Sequence, residues 1–177
     1  MTGLFIAKGE VELTSCSVTS YAYGSSPNYL AGIVNKGTLI INSGVTIKNY
    51  EFDQEFNVPD QTLISGEYYG SYGILNSGTL NMTGGTITHT GDSPVWTLAA
   101  QNGITQSNFY QYHAFVAGIL NTDAGILDIT GGTINVTGGT TTASGYSYGI
   151  YDISKTANNK VDGATISGGC GIFCFAT

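Results

Sequence analysis

The sequence predicts an all-β solenoid, a parallel β-helix of about five three-strand coils, and three observations carry that expectation. A phrase repeats: Ala31-Gly32-Ile33-Val34-Asn35-Lys36-Gly37-Thr38-Leu39 returns as Tyr72-Gly73-Ile74-Leu75-Asn76-Ser77-Gly78-Thr79-Leu80. It returns again as Ala117-Gly118-Ile119-Leu120-Asn121, then, two residues on, Ala124-Gly125-Ile126-Leu127. The hydrophobic period within each copy is two, as in a strand, and not 3.6. Glycine supplies 26 of the 177 residues while charged residues reach only 10%, well below the roughly 25% of ordinary globular chains.

The elements follow in order. Phe5-Ile6-Ala7-Lys8-Gly9 reads as a degenerate first copy, and Tyr148-Gly149-Ile150-Tyr151-Asp152 and Cys170-Gly171-Ile172-Phe173-Cys174 as later, looser ones. After Gly-Thr-Leu in two copies, and Gly-Ile-Leu in the third, stands a second short unit: Asn42-Ser43-Gly44-Val45-Thr46-Ile47, Thr83-Gly84-Gly85-Thr86-Ile87-Thr88 and Thr130-Gly131-Gly132-Thr133-Ile134-Asn135. Leu80, Met82 and Ile87, like Leu127, Ile129, Ile134 and Val136, alternate with polar residues. Thr, Ile, Val and Tyr suit pleated surfaces, and the Gly pairs supply positive φ at corners. Stacked, the inward residues form ladders: Ile33, Ile74, Ile119, Ile150 and Ile172 in one, Leu39, Leu80 and Leu127 in another. Asn35, Asn76, Asn121 and Asp152 recur at one corner, and their spacing predicts an internal ladder of side-chain hydrogen bonds.

The pattern Gly-Ile-x-Asn-x-Gly-Thr-Leu, followed by Thr/Asn-Gly/Ser-Gly, resembles the repeats of right-handed parallel β-helix proteins of the pectate-lyase-like superfamily. It is most similar to those of bacterial surface proteins and adhesin passenger regions. The resemblance spans nearly the whole chain apart from its insertions. It implies a right-handed β-solenoid at an extracellular or bacterial cell-surface location, with any secretory leader outside this sequence. The right-handed preference of parallel crossovers points the same way. The scaffold hosts lyases, hydrolases and adhesins alike, so it does not by itself assign a function.

Four departures from the repeat, residues 20–30, 48–72, 89–116 and 138–148, all follow the third strand of a coil and precede a Gly-Ile strand. They are expected on one side of the solenoid, often the binding face. Most of the 12 Tyr, 7 Phe and single Trp lie there. Tyr50, Tyr68, Tyr69, Trp96, Tyr110 and Tyr112 are the candidate contacts for a cell-surface glycan or protein, because aromatic side chains offer large area at low entropy cost. The alternative use for such aromatics is packing on the outward column Val34, Leu75, Leu120, Tyr151 and Phe173.

Chemistry is sparse. The net charge is −7 with five Lys+Arg, all of them lysine, so neither nucleic acid nor an anionic membrane is an expected partner. No apolar run approaches the length of a bilayer span. Members of this superfamily that cleave acidic polysaccharide typically rely on Arg, or on clustered Asp with Lys and Arg nearby; nothing here sets Asp128 and Asp152 across a groove as a glycosidase pair. No enzyme activity is therefore expected. His89 and His113 flank one insertion without further ligands, and no cofactor is expected; Asp123 and Asp128 leave calcium as the one cation to consider. Asn81-Met82-Thr83 and Asn135-Val136-Thr137 match glycosylation sequons, and Thr79, Thr86, Thr88 and Thr133 form outward rows. Both solenoid edges read as uncapped. The expected role is a non-catalytic module for surface adhesion or structural display; the alternative is head-to-tail self-assembly through Leu4, Phe5 and Ile6 at one end and Ile172, Phe173 and Phe175 at the other, and the third reading is a polysaccharide-binding or -degrading β-helix. Cys16, Cys170 and Cys174 fit reduced thiols better than a disulfide framework.

Overall fold

Period-two patterning and glycine corners produce sixteen strands in the computed structural model, which describes residues 3–22, 30–51, 69–91, 114–122, 124–138, 147–156 and 158–174. Among the described residues there is no helix. The first coil is β1 (Leu4–Ile6), β2 (Glu10–Leu13) and β3 (Ser17–Ala22); the second is β4 (Leu30–Asn35), β5 (Thr38–Ile41) and β6 (Thr46–Glu51). The third is β7 (Tyr69–Asn76), β8 (Thr79–Met82) and β9 (Thr86–Gly91); the fourth is β10 (Ala114–Asn121), β11 (Ile126–Ile129) and β12 (Thr133–Gly138). The fifth is β13 (Ser147–Asp152), β14 (Lys160–Val161) and β15 (Thr165–Ser167), and β16 (Cys170–Cys174) opens a further turn.

Every third strand pairs in parallel with its equivalent one coil away. The result is a six-stranded sheet β1-β4-β7-β10-β13-β16 and two five-stranded sheets, β2-β5-β8-β11-β14 and β3-β6-β9-β12-β15. This is a right-handed parallel β-helix. The registers match the repeat: Ile33 pairs Ile74, Ile119 pairs Ile150, Leu39 pairs Leu80, and Ile87 pairs Ile134. Inside the three-sided tube, one cluster joins Ile33, Leu39, Ile41, Ile47, Ile74, Leu80, Met82, Ile87, Ile119, Leu127, Ile129, Ile134 and Ile150, nearly all fully buried. A second apolar cluster lies on the outer face of the first sheet, where Val34, Leu75 and Leu120 are buried beside Tyr72, Ala117 and Tyr148.

Two corners are tight in the first four coils; in the fifth, residues 153–159 join the first sheet to the second. From the first to the second sheet the backbone pairing continues through the bend: Ser77 N donates to Asn35 O at 2.9 Å, Thr122 N to Asn76 O at 2.8 Å and Ile153 N to Asn121 O at 2.9 Å. From the second to the third sheet, Gly44, Gly85, Gly132 and Gly163 turn the chain with φ of 86°, 80°, 97° and 70°, a region that residues with a Cβ avoid.

A second glycine column explains the repeat's Gly-Ile pair. A Cβ on Gly73 would stand 2.6 Å from the Gly118 carbonyl oxygen, and one on Gly118 would stand 2.8 Å from that of Gly149. Successive coils approach too closely here for any side chain.

The strands reach further than the repeat indicates. β3, β6, β9 and β12 run on to residues 22, 51, 91 and 138, while β7, β10 and β13 begin at 69, 114 and 147. Parallel pairing satisfies the backbone whatever the side chains are, so polar and aromatic residues at the ends of the expected insertions remain in the ladder.

Candidate functional site

The third corner, from the third sheet back to the first, is where the chain departs. Residues 23–29, 52–68, 92–113 and 139–146 separate β3 from β4, β6 from β7, β9 from β10 and β12 from β13. Between β15 and β16 the same corner is closed by Gly168 and Gly169 alone. A two-residue link is thus enough for the turn, and the four long segments are additions to a corner that does not need them. Since the flanking strands are paired in register, the four points of departure stand above one another, roughly 4.8 Å apart per coil.

Of the candidate contact residues, Tyr68, Trp96, Tyr110 and Tyr112 lie outside the described residues. Tyr69 opens β7, and Tyr50 is half-buried near the end of β6, paired in register with Thr90. Tyr72 and Tyr148 are strand residues of the outer apolar cluster; their role is packing. Tyr148, Tyr151 and Phe173 form an aromatic group in which Tyr151 and Phe173 stack at 4.8 Å and 12°.

At this corner the inside of the tube is polar. Ser20, Asn49 and His89 occupy one column of the third sheet, followed in the next coil by Val136. All three are buried, as is Ser71 on β7. Ser20 Oγ donates to Asn49 Oδ1 at 2.7 Å, and Asn49 Nδ2 donates to the Tyr72 carbonyl at 2.8 Å. His89 Nδ1 faces Asn49 Nδ2 at 3.2 Å, and its Nε2 faces Ser71 Oγ at 2.8 Å.

Serine, histidine and asparagine in sequence suggest a nucleophile and its base, but the proton positions run the wrong way. A carbonyl can only accept, so Tyr72 fixes which end of the Asn49 amide is nitrogen. His89 Nδ1 therefore bears the lone pair, and Nε2–H points at Ser71. An imidazole in that tautomer cannot take the serine proton. Burial, opposed in smaller part by the Asn49 backbone, lowers the His89 pKa from 6.5 to about 4, so the ring is neutral near pH 7.

A second polar column lines the first corner. Asn35 Nδ2 donates to Asn76 Oδ1 at 2.7 Å, Asn76 Nδ2 to Asn121 Oδ1 at 2.7 Å, and Asn121 Nδ2 to Asp152 Oδ1 at 2.9 Å. The chain of amides points one way and ends on a carboxylate. Asp152 also accepts from Ser154 N at 3.0 Å and Asn159 Nδ2 at 2.6 Å. A carboxylate, which only accepts, closes such a directional ladder with no donor left over.

The remaining candidates are scattered. Asp128 is on β11 of the second sheet and Asp152 on β13 of the first, so they share no strand or sheet. Among the described residues no three His, Cys, Asp or Glu side chains gather into a metal-sized group; Asp123 and His113 lie outside them. Cys16 and Cys174 are exposed free thiols and Cys170 is partly buried. Burial, and then the nearby Asp152 charge, raise the Cys174 pKa, which disfavours its thiolate.

At the ends of the stack, Ile6 is buried, whereas Phe5 is 58% and Ile172 42% exposed. Phe173 lies partly buried in the outer cluster, and Phe175 is outside the described residues. The first sheet has one strand more than the others.

The strongest candidate site is therefore the loop corner: four stacked departures over a buried Ser20–Asn49–His89–Ser71 cluster. The chain matches no protein-family model, no curated protein and no solved structure.

Proposed function

We propose that this chain is a non-catalytic β-solenoid module for adhesion or structural display at a cell surface, contacting its partner through the aromatic-rich segments at one corner. The observation that carries this reading is the contrast within that corner. Gly168 and Gly169 suffice for the turn, with Gly169 N donating to Ser147 Oγ at 2.8 Å, yet four other coils insert between seven and twenty-two residues there. Length that the fold does not need is available for contact. The partner chemistry follows from the side chains on offer. Tyr68, Trp96, Tyr110 and Tyr112 suit the apolar faces of sugar rings or a protein surface, and the absence of Arg with a net charge of −7 disfavours nucleic acid and anionic lipid. The repeats' resemblance to bacterial surface proteins supports the extracellular setting.

The test is binding of the full chain to a panel of immobilised glycans and to intact cells, compared with Tyr68→Ala, Trp96→Ala and Tyr110→Ala variants. At least a tenfold loss in one or more variants, with an unchanged circular dichroism spectrum, is the expected outcome. Undiminished binding by all three, or no binding by the parent chain, would remove the reading.

A further inference from the structure

The Ser20–Asn49–His89–Ser71 cluster sits at the neck of an inserted segment. Asn49 lies two residues before the end of β6, residues 52–68 follow, and the chain returns through β7, where Ser71 and Tyr72 stand. Asn49 Nδ2 bonds the Tyr72 carbonyl across that neck, and His89 from the next coil bonds both sides of it: Asn49 on β6 and Ser71 on β7. These contacts tie the outgoing strand to the returning one.

The cluster has one weak point, and it is chemical. Asn49 Nδ2 spends its two hydrogens on the Tyr72 carbonyl and His89 Nδ1, while Oδ1 is held by Ser20. A proton on Nδ1 would set donor against donor. Rotating the amide would bring its oxygen against the Tyr72 carbonyl oxygen. The Asn49 backbone favours the proton only in smaller part, and no charged side chain adds to it among the described residues of β3, β6, β7, β10 and β12. Lys48 is exposed, on the opposite side of β6 from Asn49; Tyr72, beside Ser71, is an uncharged phenol; and Val136 follows His89 in its column. We propose that this cluster is an acid-sensitive latch: protonation of His89 breaks the Asn49–His89 contact and loosens β6, β7 and β9 at the neck of the 52–68 segment. The solenoid below and above, held by the inner Ile and Leu ladders, stays closed.

The lowered proton affinity of the buried ring sets the range, since the latch opens when the pH falls below the 6.5 of a solvated histidine toward about 4. Amide hydrogen exchange on the full chain, corrected for intrinsic pH dependence, tests this at pH 7 and pH 4 alongside His89→Gln, whose amide can accept from Asn49 and donate to Ser71 but cannot titrate. Between the two pH values, protection at the loop-side ends of β6, β7 and β9 in the parent chain should fall roughly a hundredfold. β5 and β8 should keep theirs, and His89→Gln should show no such fall. Equal loss in His89→Gln, loss spread evenly over all strands, or no loss would each overturn the proposal. Should His89→Gln not fold, NMR titration of the His89 ring in the parent chain, assigned with His113→Gln, decides. Titration near pH 4 accompanied by shifts in Asn49 and Ser71 is expected, and titration near 6.5 contradicts the latch.

Discussion

Single residues in this molecule are constrained by the coil above and the coil below. Gly73 stands where a methyl group would meet the Gly118 carbonyl oxygen at 2.6 Å and Ile87 Cγ2 at 2.9 Å. Gly73→Ala should cost about 2 kcal/mol or more, read as a lower denaturation midpoint at unchanged slope. Asn76 donates to Asn121 and accepts from Asn35, so Asn76→Leu strands a buried donor and a buried acceptor at once. A loss of about 3 kcal/mol is expected in the same measurement. Asp152→Asn is a subtler test of the ladder's direction. The new amide sets a donor against Asn159 Nδ2, which Asp152 now accepts at 2.6 Å, and about 1 kcal/mol should be lost. For His89 the sign follows from its lowered pKa. The unfolded chain takes up the proton near 6.5 and the folded chain only near 4. Stabilisation from this residue is complete above pH 6.5, declines as the pH falls toward 4 and then levels off. Its full size is on the order of 3 kcal/mol, and a pH series of unfolding midpoints against His89→Gln reads it directly.

At the scale of elements, the inner faces were legible in the sequence because every coil repeats them. Ile33, Ile74, Ile119 and Ile150 fall at one offset from a glycine, and alternation says which side they face. The Asn35–Asn76–Asn121–Asp152 column was visible for the same reason: one residue type recurs at one corner and changes only where the ladder ends. The Ser20–Asn49–His89 column was not, because each coil places a different residue there. Its one sequence signal is position: Asn49 and His89 each stand three residues after the Thr that opens the third strand, Thr46 or Thr86. Ser71 was hidden too, since it looks like an insertion residue until β7 is seen to begin at Tyr69. Stacked coils contact only their neighbours, so stability should divide by coil. Deleting residues 77–121, one whole coil counted from ladder Asn to ladder Asn, should leave a shorter protein with one cooperative transition at a lower midpoint. A chain that no longer folds would show that the coils are not separable units.

For the whole molecule, the organising fact is the asymmetry of the three corners. Two are closed by links of two to four residues in the first four coils, one of them lengthened to residues 153–159 in the fifth, whereas the third carries inserted segments in four coils and only Gly168 and Gly169 in the fifth. A stack extended at one edge would present side chains in a row, and its stability is expected to reside in the tube. The most direct test replaces residues 92–113 by Gly-Gly, the chain's own solution to that corner, and records the far-ultraviolet circular dichroism melt. A strand spectrum and a single cooperative transition, as in the parent chain, are expected. Loss of the strand signal would contradict this, because the segment would then belong to the fold and not be carried by it.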